Sequence, residues 1–371
     1  MVKLPIEKNI APVRGLATSA GILILALLQA CTPGQSAPPT AQEQQLPPPA
    51  VTISRAAPTV IPAASQEAGV GGIAAEPTPT SPPNPYAAFT VDALAARSYG
   101  GGSLTIHERM GVYDSFTRYL ISYPSDGLKI YGFLNVPHGD GPFPVVIALH
   151  GYIDPAVYET LDYTTRYADA LARSGFLVIH PNLRGYPPSG NADNLFRVGM
   201  ASDVLNLTAI VRETGGDPGP LESALSERLG LWGHSMGGGI SLRVLTVDPE
   251  IDAAVLYGSM SGDEGQNFQK ISEWSEGTRG LAELEVPSEY YSEISPINYL
   301  DRIEASVSVH HGAADELVPP AWSDDLCVRL LDLRVEVTCY TYPDQPHTFG
   351  GEGDQLFVER MVGFLTQVLS P

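Results

Sequence analysis

Two segments, Phe116–Ser122 and Leu128–Val136, alternate apolar and polar positions with the two-residue period of strands that bury one face. The residues between them, Tyr-Pro-Ser-Asp-Gly, favour a turn, so the pair predicts an N-terminal β-hairpin with a short loop. Downstream the pattern changes to short continuous apolar runs, which is how strands covered on both faces of a parallel sheet read. They are Pro144–Leu149, Phe176–Ile179, Leu229–Trp232, Ala253–Tyr257, Val307–His310 and Val335–Tyr340. Segments with apolar residues three and four positions apart separate them: Thr164–Arg173, Ala201–Glu213, Met236–Thr246, Ala321–Leu331 and Gln355–Leu369. Strand and helix in alternation predict right-handed βαβ units and an α/β architecture, a mostly parallel central sheet with helices on both faces.

The first 85 residues follow neither pattern. Lys3, Lys8 and Arg14 lead into the apolar run 21–28, too short to span a bilayer but of the length of a signal-peptide core. It ends at Leu28-Gln29-Ala30-Cys31, which resembles the lipobox of bacterial lipoproteins, where the Cys becomes the lipid-modified first residue of the mature chain. Cys31 is therefore the expected lipidation site and residues 1–31 the signal, with an ordinary cleaved signal as the alternative; either way the chain is expected outside the cytoplasm. Residues 32–85 hold 13 prolines and few aromatic or branched side chains. Such a stretch buries too little apolar surface to offset the entropy of ordering it, which predicts a disordered tether to a catalytic domain over residues 86–371. A Pro-rich binding motif is the alternative reading.

Charge narrows the partners. The formal net charge is −21, and residues 1–31 (+2) and 32–85 (−2) cancel, so the excess lies on residues 86–371. A surface of that sign repels nucleic acid and anionic headgroups, so no nucleic-acid partner is expected and membrane attachment falls to the lipid at Cys31.

The chemistry centres on Gly233-His-Ser235-Met-Gly237, which directly follows the run Leu229–Trp232 and opens the helical segment at Met236. A strand that turns into a helix this sharply holds its Ser at strained backbone angles and leaves no space for a side chain on either neighbour, which accounts for Gly233 and Gly237. A Ser hydroxyl needs a base to take its proton, and the base needs an acid to hold it. Asp315 lies in the loop after Val307–His310, and His347 in the loop after Val335–Tyr340. Ser235, Asp315 and His347 thus fall in nucleophile, acid, base order, each at the C-terminal end of a predicted strand, where open α/β sheets place their sites. Glu316 is the alternative acid; the other histidines read as structural.

These motifs, with His150-Gly151-Tyr152, Asn182-Leu-Arg184-Gly185, Ser295-Pro-Ile-Asn-Tyr299, His311-Gly-Ala-Ala-Asp315 and Gln345-Pro-His347, resemble the catalytic domain of the prolyl oligopeptidase family and dienelactone-hydrolase-like esterases over roughly residues 115–369. The resemblance implies an α/β-hydrolase fold and a Ser-Asp-His hydrolase working through an acyl-enzyme without cofactor or metal. The family's large peptidases carry a β-propeller ahead of this domain, and its expected absence leaves cleavage of small esters or amides as plausible as that of short peptides. An oxyanion hole is expected from the backbone N–H of Met236 and from the His150-Gly151-Tyr152 loop, through the Tyr152 N–H or its hydroxyl. His150 stands where several family peptidases place a Tyr.

Residues 259–291, rich in Glu and Ser, predict either a small cap over the pocket or a surface loop. Cys327 and Cys339 are expected to form a disulfide outside the cytoplasm, two buried thiols being the alternative. No group of His, Cys or carboxylates has metal-ligand spacing. The competing functional class is a tethered binding lipoprotein on an inactive hydrolase scaffold, which the ordered triad argues against.

Overall fold

The computed structural model describes residues 84–370, so the signal segment with Cys31 and nearly all of the 32–85 tether lie outside the described residues. In chain order the elements are α1 (Val91–Ala95), β1 (Thr105–Val112), β2 (Phe116–Ser125), β3 (Leu128–Pro137), β4 (Phe143–Leu149), α2 (Thr165–Arg173), β5 (Leu177–Pro181), α3 (Val198–Thr214), β6 (Ala224–His234) and α4 (Met236–Leu245). Then come β7 (Ala253–Tyr257), α5 (Glu264–Trp274), α6 (Leu281–Leu284), α7 (Tyr291–Ile294), β8 (Ser306–Gly312), α8 (Pro320–Asp332), β9 (Val337–Tyr342) and α9 (Gly351–Leu369). The strands form one sheet in the order β1-β2-β3-β5-β4-β6-β7-β8-β9. β5 to β9 and β4 run parallel, while β1, β2 and β3 are antiparallel and join the rest through β3 against β5.

The continuous apolar runs are explained by what covers each face. In β4, Val145, Ile147 and Leu149 enter a cluster with Val204 and Leu207 of α3, Ile240 of α4 and Leu326 of α8. Val146 and Ala148 point the other way, into a cluster with Tyr167 and Leu171 of α2 and Phe357 and Met361 of α9. Each large side chain so buried is worth about 1.5–3 kcal/mol, and a polar residue at any of these positions would forfeit that and leave a group unpaired.

The antiparallel end departs from the sequence reading in two ways. β2 continues to Ser125, so the expected five-residue loop is a two-residue turn: Asp126 (φ 48°) and Gly127 (φ 78°) are both left-handed, as a type I′ hairpin requires. The hairpin also gains a third strand, β1, whose exposed edge and two register breaks against β2 obscure any apolar alternation. β9 begins two residues later than the run Val335–Tyr340 implies. Cys327 of α8 and Cys339 of β9 are joined by a disulfide.

Candidate active site

At the sheet's C-terminal edge, the order reverses between β4 and β6, since β4 is followed in sequence by β5 on one side and then by β6 on the other. Open α/β sheets bind ligands in the crevice at such a switch point. Here β6 ends at His234, α4 starts at Met236, and Ser235 between them has φ 55° and ψ −114°. The strain is held in place from both sides. The Ser235 N–H donates to Tyr257 O (2.9 Å), and its carbonyl accepts from Met260 N–H (3.1 Å) and Gly238 N–H (3.0 Å). A Cβ on Gly233 would strike the Gly237 carbonyl, and one on Gly237 would strike Leu149 O and come within 2.8 Å of His150 O. Both glycines are thus required by the close approach of β4, β6 and α4.

Asp315 follows β8 on a short loop and has a fully buried side chain. Its Oδ1 accepts from the N–H groups of Leu317 and Val318, both at 2.9 Å. Its Oδ2 accepts from His347 Nδ1 (2.7 Å) and lies 3.0 Å from His311 Nε2. Burial by itself raises the pKa of this carboxylate, but the hydrogen bonds from His311 and His347, the charge on His347 and the Val318 N–H outweigh it and hold Asp315 well below the usual carboxylate range. Glu316 is exposed and faces solvent. His347 sits in the loop after β9, 13% exposed, with its ring 4.6 Å from that of His234. With Nδ1 engaged by Asp315, Nε2 is the atom left to act on a proton. The acid and base loops are tied together: Ala314 N–H donates to Gln345 O (3.0 Å), and a Cβ on Gly312 would strike that same carbonyl.

Met236 is the first residue of α4, where backbone N–H groups have no acceptor within the helix. Gly151 runs directly over the elbow, since a Cβ there would lie 3.2 Å from Ser235 Cβ. Tyr152 follows at the rim, 46% exposed, with the Arg279 guanidinium 4.7 Å over its ring and Arg279 paired to Asp154 (3.1 Å).

Residues 259–291 fold as a helical segment that walls a cavity of about 610 Å³. Its lining includes Tyr152, Met236, Met260, Phe268, Trp274 and Arg197, so the cavity opens onto both candidate oxyanion residues. α5 is capped by Asp263, whose carboxylate accepts from Gly265 N–H (2.8 Å) and Gln266 N–H (3.2 Å). Glu264 beside it is buried between Arg197 and Arg243, each at 2.5 Å. Trp274 at the other end donates Nε1–H to Leu317 O (3.0 Å), two residues past Asp315. The segment is thereby fastened at one end to the elbow helix and at the other to the acid loop.

His311, which the sequence reads as structural, is buried against the proposed acid. Its Nδ1 lies 2.6 Å from Ser323 Oγ, and its Nε2–H donates to Val318 O (3.0 Å) with Asp315 Oδ2 at the same distance of 3.0 Å. The signal for that contact was its four-residue spacing from Asp315 across Gly312. Among the described residues no three His, Cys, Asp or Glu side chains converge as a metal site would require.

Two family matches overlap this region. Residues 221–371 match the prolyl oligopeptidase family, and residues 144–284 match the alpha/beta hydrolase fold. Dipeptidyl aminopeptidase BIII of Pseudoxanthomonas mexicana is 26% identical over 247 residues, a match covering 62% of this chain and 34% of that protein. Among solved structures, a puromycin-hydrolyzing peptidase of Mycobacterium tuberculosis matches with TM-score 0.57 and 22% identity, over 70% of this chain and 40% of that one. Acetyl xylan esterase 1 of Thermoanaerobacterium sp. JW/SL YS485 matches with TM-score 0.54 and 18% identity, over 74% of this chain and 93% of that one. The chain thus spans about a third of that peptidase's length.

Proposed function

We propose that this serine hydrolase of prolyl oligopeptidase or dienelactone-hydrolase type cleaves small ester or amide bonds, short peptides among them, through Ser235, His347 and Asp315. The observation that carries this reading is the 2.7 Å hydrogen bond from His347 Nδ1 to Asp315 Oδ2 at strand ends beside a Ser with φ 55°. His347 Nε2 takes the Ser235 proton as Oγ attacks the substrate carbonyl, and Asp315 stabilises the imidazolium that forms. The N–H groups of Met236 and Tyr152 receive the developing oxyanion. His347 then returns its proton to the leaving alcohol or amine, and water releases the acyl group by the same steps in reverse.

The cavity walled by Met236, Met260, Phe268 and Trp274 favours an apolar group on the substrate, with Arg197 supplying a polar contact. We further propose that the mature protein starts at a lipidated Cys31, with the Pro-rich stretch holding the enzyme outside the membrane; the support is the Leu28–Cys31 ending of the apolar run.

A fluorophosphonate probe tests the chemistry, because it labels only an activated Ser. Wild-type protein is expected to label and Ser235→Ala not to, with hydrolysis of p-nitrophenyl esters, aminoacyl amides or prolyl amides lost in parallel. Undiminished turnover in folded Ser235→Ala would refute the assignment. Mass spectrometry of the mature N-terminus tests the anchor, an unmodified terminus downstream of Cys31 being the opposing result.

A further inference from the structure

Three hydrogen bonds link the loop after β4, the elbow and the base loop in one line. Gly151 N–H donates to Tyr163 Oη (3.1 Å), Tyr163 Oη lies 2.7 Å from His234 Nδ1, and His234 Nε2 lies 3.0 Å from His347 O. The direction of every bond is forced from its ends. A backbone N–H only donates, so the Tyr163 oxygen accepts from Gly151; its own proton goes to His234 Nδ1 because a neutral ring that donates from Nε2 can only accept there. A carbonyl only accepts, so Nε2 of His234 carries the hydrogen. A neutral imidazole offers one donor and one acceptor, and this line uses both.

The surroundings keep it so. His234 is 1% exposed, and burial together with the neighbouring His347 holds its pKa down to about 3, while burial pushes the Tyr163 hydroxyl up. Both groups therefore stay neutral across the working pH range. The His234 ring lies 4.3 Å from that of Tyr257 and 4.6 Å from that of His347, which leaves it one orientation. Gly151 is pinned as well, since a Cβ there would collide with the Tyr163 hydroxyl.

We propose that His234 and Tyr163 are positioning residues that set the distance between the oxyanion loop at Gly151-Tyr152 and the base His347, across the nucleophile they flank. This rests on the triad assigned under Proposed function and goes beyond it, because neither residue touches the reacting atoms. The line holds two groups whose separation has to match the geometry of one tetrahedral intermediate, and small misplacements of such groups carry large rate penalties. Its effect is on kcat, since the cavity that binds the substrate is built from other residues.

The test compares Tyr163→Phe, His234→Leu, the double variant and His234→Gln with wild type, using p-nitrophenyl acetate kinetics and fluorophosphonate labelling. Tyr163→Phe and His234→Leu are each expected to lower kcat about ten-fold or more while KM stays within about two-fold. The double variant is expected to be no slower than the slower single, because either break interrupts the same line. His234→Gln, with an amide N–H for His347 O and an oxygen for Tyr163, is expected to recover most of the loss. Nitrogen NMR of histidine-labelled protein supplies a readout independent of rate: His234 should be the Nε2–H tautomer with Nδ1 unprotonated. An Nδ1–H tautomer, additive losses in the double variant, or unchanged kcat in Tyr163→Phe would each overturn the proposal. Should His234→Leu not fold, Tyr163→Phe and the tautomer decide. Wild-type protein that neither labels nor hydrolyses would instead remove the triad reading itself.

Discussion

Acidification from about pH 7.5 to pH 5 is expected to cost the folded enzyme about 6 kcal/mol, through three imidazoles that cannot take up a proton where they lie. His180, His234 and His310 are each at most 1% exposed, and each is held down to about 3, in every case chiefly by burial. An unfolded His titrates near 6.5. Below that pH the unfolded chain binds protons that the folded chain refuses, so stability is present above about 6.5 and drains away as the pH falls toward about 3. At pH 5 each residue contributes a loss of about 2 kcal/mol, and near that pH the slope for the three approaches about 4 kcal/mol per pH unit. His150, buried and also lowered by desolvation, acts in the same direction. Asp315 and Asp126, both lowered, add their losses only below the unfolded carboxylate value, whereas Asp203, raised by burial, acts above that value and in the opposite sense, gaining stability as the pH falls toward it. A loss of about 6 kcal/mol is comparable with the whole stability of a typical domain. Urea unfolding followed by Trp fluorescence at pH 7.5, 6 and 5 measures it, provided the m value is constant. His180→Phe, which extends the stack on Phe133 (4.6 Å between ring centroids), should reduce the change by about a third. A loss under about 2 kcal/mol, or an unaltered slope in His180→Phe, would refute the reasoning.

Other outcomes follow from single contacts. His347→Ala is expected to lower kcat nearly as far as Ser235→Ala, and Asp315→Asn to leave more residual activity, as measured by ester hydrolysis on folded variants. Glu264→Gln leaves the buried Arg197 and Arg243 without the carboxylate they share and should destabilise the protein by about 3–5 kcal/mol in urea unfolding. Removing the Cys327–Cys339 bond as the double Ala variant should cost about 3 kcal/mol, the loop entropy for a separation of 12 residues.

What the sequence disclosed and what it withheld divide along one physical line. A strand buried on both faces needs apolar residues at every position, so β4, β5, β7 and β8 stand out within a residue or two. The elbow was equally legible, because the approach of Leu149 O and Gly237 O admits only glycine at Gly237 and Gly233. β1 was not, since an edge strand with an exposed face and register breaks has no apolar period to read. The wall around the cavity was ambiguous for a related reason: α6 and α7 are four residues each, shorter than a helical period needs to declare itself. Ser235, Asp315 and His347 could be proposed as a triad from their order along the chain, whereas the Tyr163–His234 contact joins residues 71 positions apart and carries no local mark. The buried Arg197–Glu264–Arg243 cluster was hidden in the same way, as was the left-handed φ of Arg197 (58°) within it.

Among the described residues, the strand that delivers the proposed base is the last in the sheet and pairs with β8 alone, while the strand that delivers the proposed nucleophile is flanked on both sides. Outer strands open in local excursions that leave the centre intact, so the base is the first part of the machinery to be lost on warming and the nucleophile the last. The covalent tie from β9 to α8 bears on that order of events. It makes the sheet's margin and its covering helix open together or not at all, and so brings inactivation close to global unfolding. With the tie reduced, the enzyme becomes one that falls silent while still folded, a form of failure that heat-inactivation curves reveal and melting curves miss.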